Sequence, residues 1–257
     1  MSYFWIPLLG LSFMALVWAI SRGFRLDLDR ELLVGTVRAM VQLLLMGFLL
    51  TWIFRWSSPW WLAVPILGML AVAAANARQK APGLPGVFWR ILAALALSEG
   101  VAMLLLLGLR IIPPEAKTII PLSGMVIGNA MVAAGLFYHR LLQARKERED
   151  HLLTLLTLGL PGSYAYRFLA LDALKGAMIP TVDALKTVGL VQLPGMMTGM
   201  ILAGASPLEA VNYQILIMYA IAGTAAVTGM ALYWLSPGYF LTAHHQLKEE
   251  AQDPGRS

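Results

Sequence analysis

Apolar residues in this chain come in long runs rather than in alternation with polar ones. Seven runs stand out, at about 4–20, 32–54, 60–75, 91–109, 119–137, 188–202 and 211–235. A helix needs about 20 apolar residues to cross a bilayer, so runs of this length read as membrane spans. The third and sixth are short, and their ends are the least defined. No basic residue precedes the first run, as the start of a signal peptide requires. It is expected to remain as the first helix. The pattern therefore predicts an all-α, polytopic integral membrane protein of about seven transmembrane helices, with residues 1–257 forming a single membrane domain.

The basic residues orient those spans. With the N-terminus outside, 15 of the 19 Lys and Arg residues fall on the inner side and only Arg55, Arg110 and Lys117 on the outer; Arg38 lies within a span. Basic residues concentrate on the cytoplasmic side of membrane proteins, so the C-terminus is expected inside. The one substantial stretch outside the spans is 139–187, expected in the cytoplasm. It opens on Arg145-Lys-Glu-Arg-Glu-Asp150, which extends the fifth helix, and Gly159-Leu-Pro-Gly162 breaks it. A second helix is expected from Tyr164 to Ile179, with Pro180 breaking or restarting it before Lys186. Asp172-Ala-Leu-Lys175 recurs as Asp183-Ala-Leu-Lys186, offset by 11 residues. That is close to three helical turns, so a continuous helix would present both Asp–Lys pairs on nearly one face, as contacts for a soluble partner. Chance repetition in an Ala- and Leu-rich stretch is the alternative.

Composition fits the pattern. Of 257 residues, 59% are apolar and 13% charged, against about 45–50% and about 25% in soluble domains. The mean hydropathy is +0.71. The net charge of +5 reflects basic inner loops rather than nucleic-acid binding. With no cysteine there is no disulfide, thiolate metal site or cysteine nucleophile. The four histidines, His139, His151, His244 and His245, all stand in charged segments outside the bilayer. No G-x-x-x-x-G-K-[ST] loop is present: Lys117-Thr118 and Lys186-Thr187 both lack the preceding glycine. The chain is expected to bind no cofactor tightly and not to be an enzyme.

The polar residues inside spans are few. Glu99 stands about 12 Å from either end of the fourth span by helical rise. A charge at that depth costs about 2.5–3.5 kcal/mol on insertion scales, so Glu99 must face protein or water or carry a proton. It is either part of a cation path or a buried group paired with Arg38 or hydroxyls. Arg38 can snorkel to the inner surface, and Gln42, four residues on, shares its helix face. Asn129 is at mid-span in the fifth helix. Gly124/Gly128 and Gly195/Gly199 form G-x-x-x-G pairs that let helices approach closely, within the chain or between two copies. In Pro194-Gly195-Met196-Met197-Thr198-Gly199-Met200, proline and glycine point to a broken helix, and broken helices at membrane depth line cavities. The methionines are core filler or soft ligands.

The run from Val188 to Pro207, with Leu193-Pro-Gly-Met-Met-Thr-Gly199 at its centre, followed by Ala210-Val-Asn-Tyr-Gln-Ile215, resembles the signature of the Fet-type permease family. Arg38-Ala-Met-Val-Gln-Leu43, Met125-Val-Ile-Gly-Asn-Ala130, Leu158-Gly159 and Ile179-Pro-Thr181 extend the resemblance over nearly the whole chain. These are membrane subunits of ABC transporters linked to bacterial iron export, with plant relatives in aluminium tolerance. The resemblance implies a homodimer in the lipid bilayer working with a separate ATPase subunit, which uses the ATP. It also implies the plasma (inner) membrane, and with it the in-span groups already singled out, Glu99, Asn129, Met196, Met197 and Thr198, supported by Arg38 and Gln42, are the expected transport path. ATPase coupling would then involve Gly159, Arg167, Asp172, Lys175, Pro180, Asp183 and Lys186. A stand-alone secondary transporter or channel is the alternative. A membrane-embedded enzyme has no visible nucleophile–base pair to support it.

Overall fold

The computed structural model describes residues 5–53, 59–148, 152, 154 and 157–240. Expectations that fall on Glu149, Asp150, His151, His244, His245, Lys248 and Arg256 lie outside them. The chain divides into two compact units, Met1–Ser58 and Pro59–Ser257.

The first unit holds α1 (Trp5–Gly23) and α2 (Asp29–Ile53). Arg25 and Asp27 take left-handed φ of 52° in the turn that joins them. Arg22 closes the turn, 3.3 Å from Asp29, with its guanidinium 4.2 Å over the Trp18 ring. Asp29 and Glu31 lie in the first turn of α2, where the helix dipole favours negative charge. Helix α2 is long and apolar enough to cross a membrane.

The second unit contains a 3-10 turn (Pro59–Leu62), α3 (Ala63–Arg78), α4 (Val87–Gly108), α5 (Ala116–Glu147), α6 (Gly162–Thr187), α7 (Gly195–Leu202), α8 (Pro207–Leu235) and a final turn, α9 (Pro237–Phe240). Ser206 caps α8 by accepting a hydrogen bond from the Glu209 amide at 3.2 Å. Pro207 stands in the first turn, and Ser-Pro-Leu-Glu is a capping-box start. Helices α5 and α6 are antiparallel: Arg148 meets Asp172 at 3.1 Å, and a Cβ on Gly176 would lie 3.2 Å from Arg140 Cγ. Small residues make the seam, with Ala130 and Ala134 of α5 and Ala165, Ala170, Ala173 and Ala177 of α6 buried in one core. Helix α8 packs on α4, α5 and α6. Buried hydroxyls tie it to its neighbours: Ser98 and Thr228 are 2.5 Å apart, Tyr138 and Ser236 2.9 Å, and the Tyr166 hydroxyl donates to the Tyr233 carbonyl at 2.6 Å.

Among the described residues, four helices are long and apolar enough to cross a membrane: Asp29–Ile53, Val87–Gly108, Ala116–Glu147 and Pro207–Leu235. They match the second, fourth, fifth and seventh expected spans. The first and third are shorter apolar helices. The sixth differs from expectation. Residues 188–194 form a turn in which Gly189 has φ of +82° and the Thr187 carbonyl accepts from the Val191 amide at 3.0 Å. Only Gly195–Leu202, eight residues, is helical beyond it. At 1.5 Å per residue, that is about 12 Å, less than half a bilayer core. The physical reason is local: Val188 turns extended and ends α6, Gly189 at positive φ permits the reversal, and Pro194 stands at the start of α7. Conversely, α6 runs unbroken through Pro180, where a break or restart was expected. The two Asp–Lys repeats therefore do share one helix. Asp183 pairs with Lys186 at 3.0 Å, while Asp172 reaches across to Arg148.

Candidate functional site

Where α6 stops and α7 begins, the second unit leaves a cavity of about 490 Å³ between α5, α6, α8 and the break. Helix α5 contributes Met125 and Asn129, α6 contributes Pro180 and Thr181, the break contributes Gln192 and Pro194, the start of α7 contributes Met196, and α8 contributes Gln214 and Met218. No ionisable side chain lines it. Its polar equipment is three amides, one hydroxyl and three thioethers, all neutral. Such groups hold a cation through oxygen or sulfur lone pairs, or a polar solute through hydrogen bonds, without the strong Coulomb attraction that would slow release.

Each polar side chain is held in its own way. The Asn129 amide donates to the Met125 carbonyl at 2.8 Å, which fixes the side chain to its own helix and leaves its oxygen as acceptor. Gln214 is buried, and its Oε1 has no hydrogen-bond partner among the described residues. A buried unpaired acceptor is costly, and a ligand in the cavity would satisfy it. Met196 also packs into a small apolar cluster with Leu106, Ile112, Leu122 and Ile217, so the first turn of α7 both lines the cavity and anchors to the bundle.

The expected site residues are thus partly gathered and partly dispersed. Asn129 and Met196 line the cavity, and so does Pro180, which was expected in coupling. Met197 and Thr198 lie on α7 beside the lining; the Thr198 hydroxyl donates to the Pro194 carbonyl at 3.3 Å across the helix start. Glu99 is outside the lining. It is buried in α4, 4% exposed, and neither of its carboxyl oxygens has a hydrogen-bond partner among the described residues. Arg38 and Gln42 belong to the first unit, where both are exposed on α2. Of the expected coupling residues, Gly159 makes a turn at φ +83°. Arg167 and Lys175 are exposed on α6, and Asp172, Asp183 and Lys186 are in the ion pairs already described. Sequence reading missed Thr181, Gln192 and Gln214. Gln214 carried a usable signal, an amide in an otherwise apolar helix. Thr181 and Gln192 stand in the motifs that carry the family resemblance, but only the fold brings them to the cavity. Among the described residues, no group of three or more acidic or His side chains could hold a metal ion.

A family model described as "Uncharacterised protein family (UPF0014)" matches residues 5–240. The chain is 42% identical over 241 residues to the UPF0014 membrane protein YjkA of Bacillus subtilis, covering 94% of this chain and 96% of that one. It is 35% identical to the probable iron export permease protein FetB of Escherichia coli, covering 93% of each. It is also 35% identical to the protein ALUMINUM SENSITIVE 3 of Arabidopsis thaliana, covering 94% of this chain and 89% of the relative. No solved structure matches.

Proposed function

The chain belongs to the UPF0014 family of membrane proteins, and from that premise we propose that it is the permease subunit of an ABC transporter in the plasma membrane, exporting a metal ion with ATP hydrolysed by a separate partner. The observation that carries this reading is the interrupted helix at 188–194 beside the cavity at Asn129. Discontinuous helices at membrane depth form substrate sites in transporters and supply the joint at which access switches. Iron is the substrate first in line, because a relative named as a probable iron export permease matches along 93% of its length. A neutral set of amide, hydroxyl and thioether groups suits a cation that must be released on the far side. Glu99 adds the one carboxylate buried in α4 beside this path. Met197 and Thr198 move with the short helix that carries Met196.

The absence of a phosphate-binding loop from the sequence supports a partner ATPase. The partner docks on the exposed side of α6, at Arg167 and Lys175, with Gly159 as the entry turn. The Asp172 and Asp183 pairs and Lys186 transmit the thrust along α6 to Pro180 and the cavity. Two copies of the chain complete the transporter. Expression with its candidate ATPase tests this: the two should co-purify in detergent, and Fe(II) should stimulate ATP hydrolysis. Purification of the chain alone under those conditions, with ATPase activity indifferent to metal, would remove the reading.

A further inference from the structure

A second cavity, of about 350 Å³, lies between α3 and α5, away from the break. Its floor is apolar, made by Ala77, Met131, Val132 and Leu136, and its polar rim is Asn76, Lys80 and His139. No carboxylate lines it. Lys80 is exposed and takes part in none of the ion pairs found among the described residues, which use Arg22, Arg148 and Lys186. It is held in place nonetheless. Its stem lies across Gly135 of α5, where an added Cβ would be 3.4 Å from Lys80 Cγ, so the missing side chain on α5 gives the lysine its seat. The Asn76 amide donates to the Met131 sulfur at 3.3 Å, a weak acceptor that a better one would replace.

We propose that this cavity binds the headgroup of an anionic phospholipid, with Lys80 on the phosphate and Asn76 and His139 hydrogen-bonding around it. A free phosphate would meet the same three groups, but it would leave the apolar floor unused. The apolar surface also continues away from the rim: Val132 is 50% exposed, and Val72, one turn before Asn76 on α3, is 63% exposed. An acyl chain attached to the headgroup would lie on both. Basic pockets between transmembrane helices are known anionic-lipid sites on physical grounds. The site shares only Val132 with the transport cavity, none of its polar groups, and does not depend on what is transported.

Native mass spectrometry of the full-length chain in non-ionic detergent, titrated with phosphatidylglycerol and phosphatidylcholine of equal chain length, tests it. Wild type should retain phosphatidylglycerol preferentially. Lys80→Gln should cut that retention about fivefold without changing phosphatidylcholine. Lys80→Arg should keep the preference, and so should Lys117→Gln, which removes an exposed charge elsewhere. Equal retention of both lipids, an unchanged Lys80→Gln protein, or the same loss in Lys117→Gln would overturn the proposal. So would displacement of the lipid by excess inorganic phosphate, which would assign the site to the free anion.

Discussion

Leu174 of α6 occupies the space directly over Gly229 of α8, so close that no Cβ fits there without moving it. This contact locks α6, the helix that ends at the cavity, against α8, which supplies Gln214 and Met218.

Gly229→Ala should therefore lower the stability of the second unit by about 1–3 kcal/mol, as overpacking does. Thermal melting in detergent would register the change. Leu174→Ala placed in the same chain should recover most of it, because the colliding methyl group is gone. An unchanged melting temperature for the single variant would mean that the two helices do not pack this closely.

The neutral cavity makes a different demand. Asn129→Leu and Gln214→Leu keep the volume and the apolar packing but remove an amide that faces the cavity. Each should reduce export at least about tenfold, the equivalent of one lost hydrogen bond or ligand of about 1.4 kcal/mol. Partner-driven ATP hydrolysis without substrate should continue. If export survives both changes, the cavity is not on the path.

Glu99→Gln keeps the shape of the side chain and removes its ability to carry charge. Membrane insertion and yield should be unchanged, since a neutral amide is easier to bury than a carboxylate. Vesicle assays should show impaired export. Export equal to wild type would make Glu99 a structural group only.

Arg148 and Asp172 join the end of α5 to α6 at 3.1 Å, with side chains 37% and 51% exposed. Such a pair adds little to stability, about 1 kcal/mol at most. Its proposed importance is mechanical. Asp172→Arg should uncouple ATP hydrolysis from export with the melting temperature nearly unchanged, and combining it with Arg148→Asp should restore coupling. A stability loss without uncoupling would assign the pair to folding.

The membrane helices were legible because each is a long apolar run, and length against bilayer thickness is nearly all that a span requires. The break at 188–194 was legible only in part. Pro194 and Gly195 announced an interruption, yet the surrounding residues are as apolar as those of a span, so hydropathy alone joined them. Pro180 misled in the opposite direction, since packing against α5 and α8 holds α6 helical through it. Asn129 and Met196 could be selected singly, as a polar group at mid-span and a methionine in a broken segment. Their meeting with Gln214 and Thr181 depends on the antiparallel pairing of α6 with α5, which no local pattern encodes. The cavity at Lys80 was hidden for the same reason: its seat is a glycine 55 positions away in sequence.

Reconstitution of the chain into liposomes, with and without its ATPase partner, measures the central claim most directly. Iron loaded on the cytoplasmic-equivalent side should cross only when both subunits and ATP are present, and Asn129→Leu should abolish most of that flux. Equal flux through the chain alone, driven by an ion gradient without ATP, would contradict the account and make the protein a secondary transporter or channel.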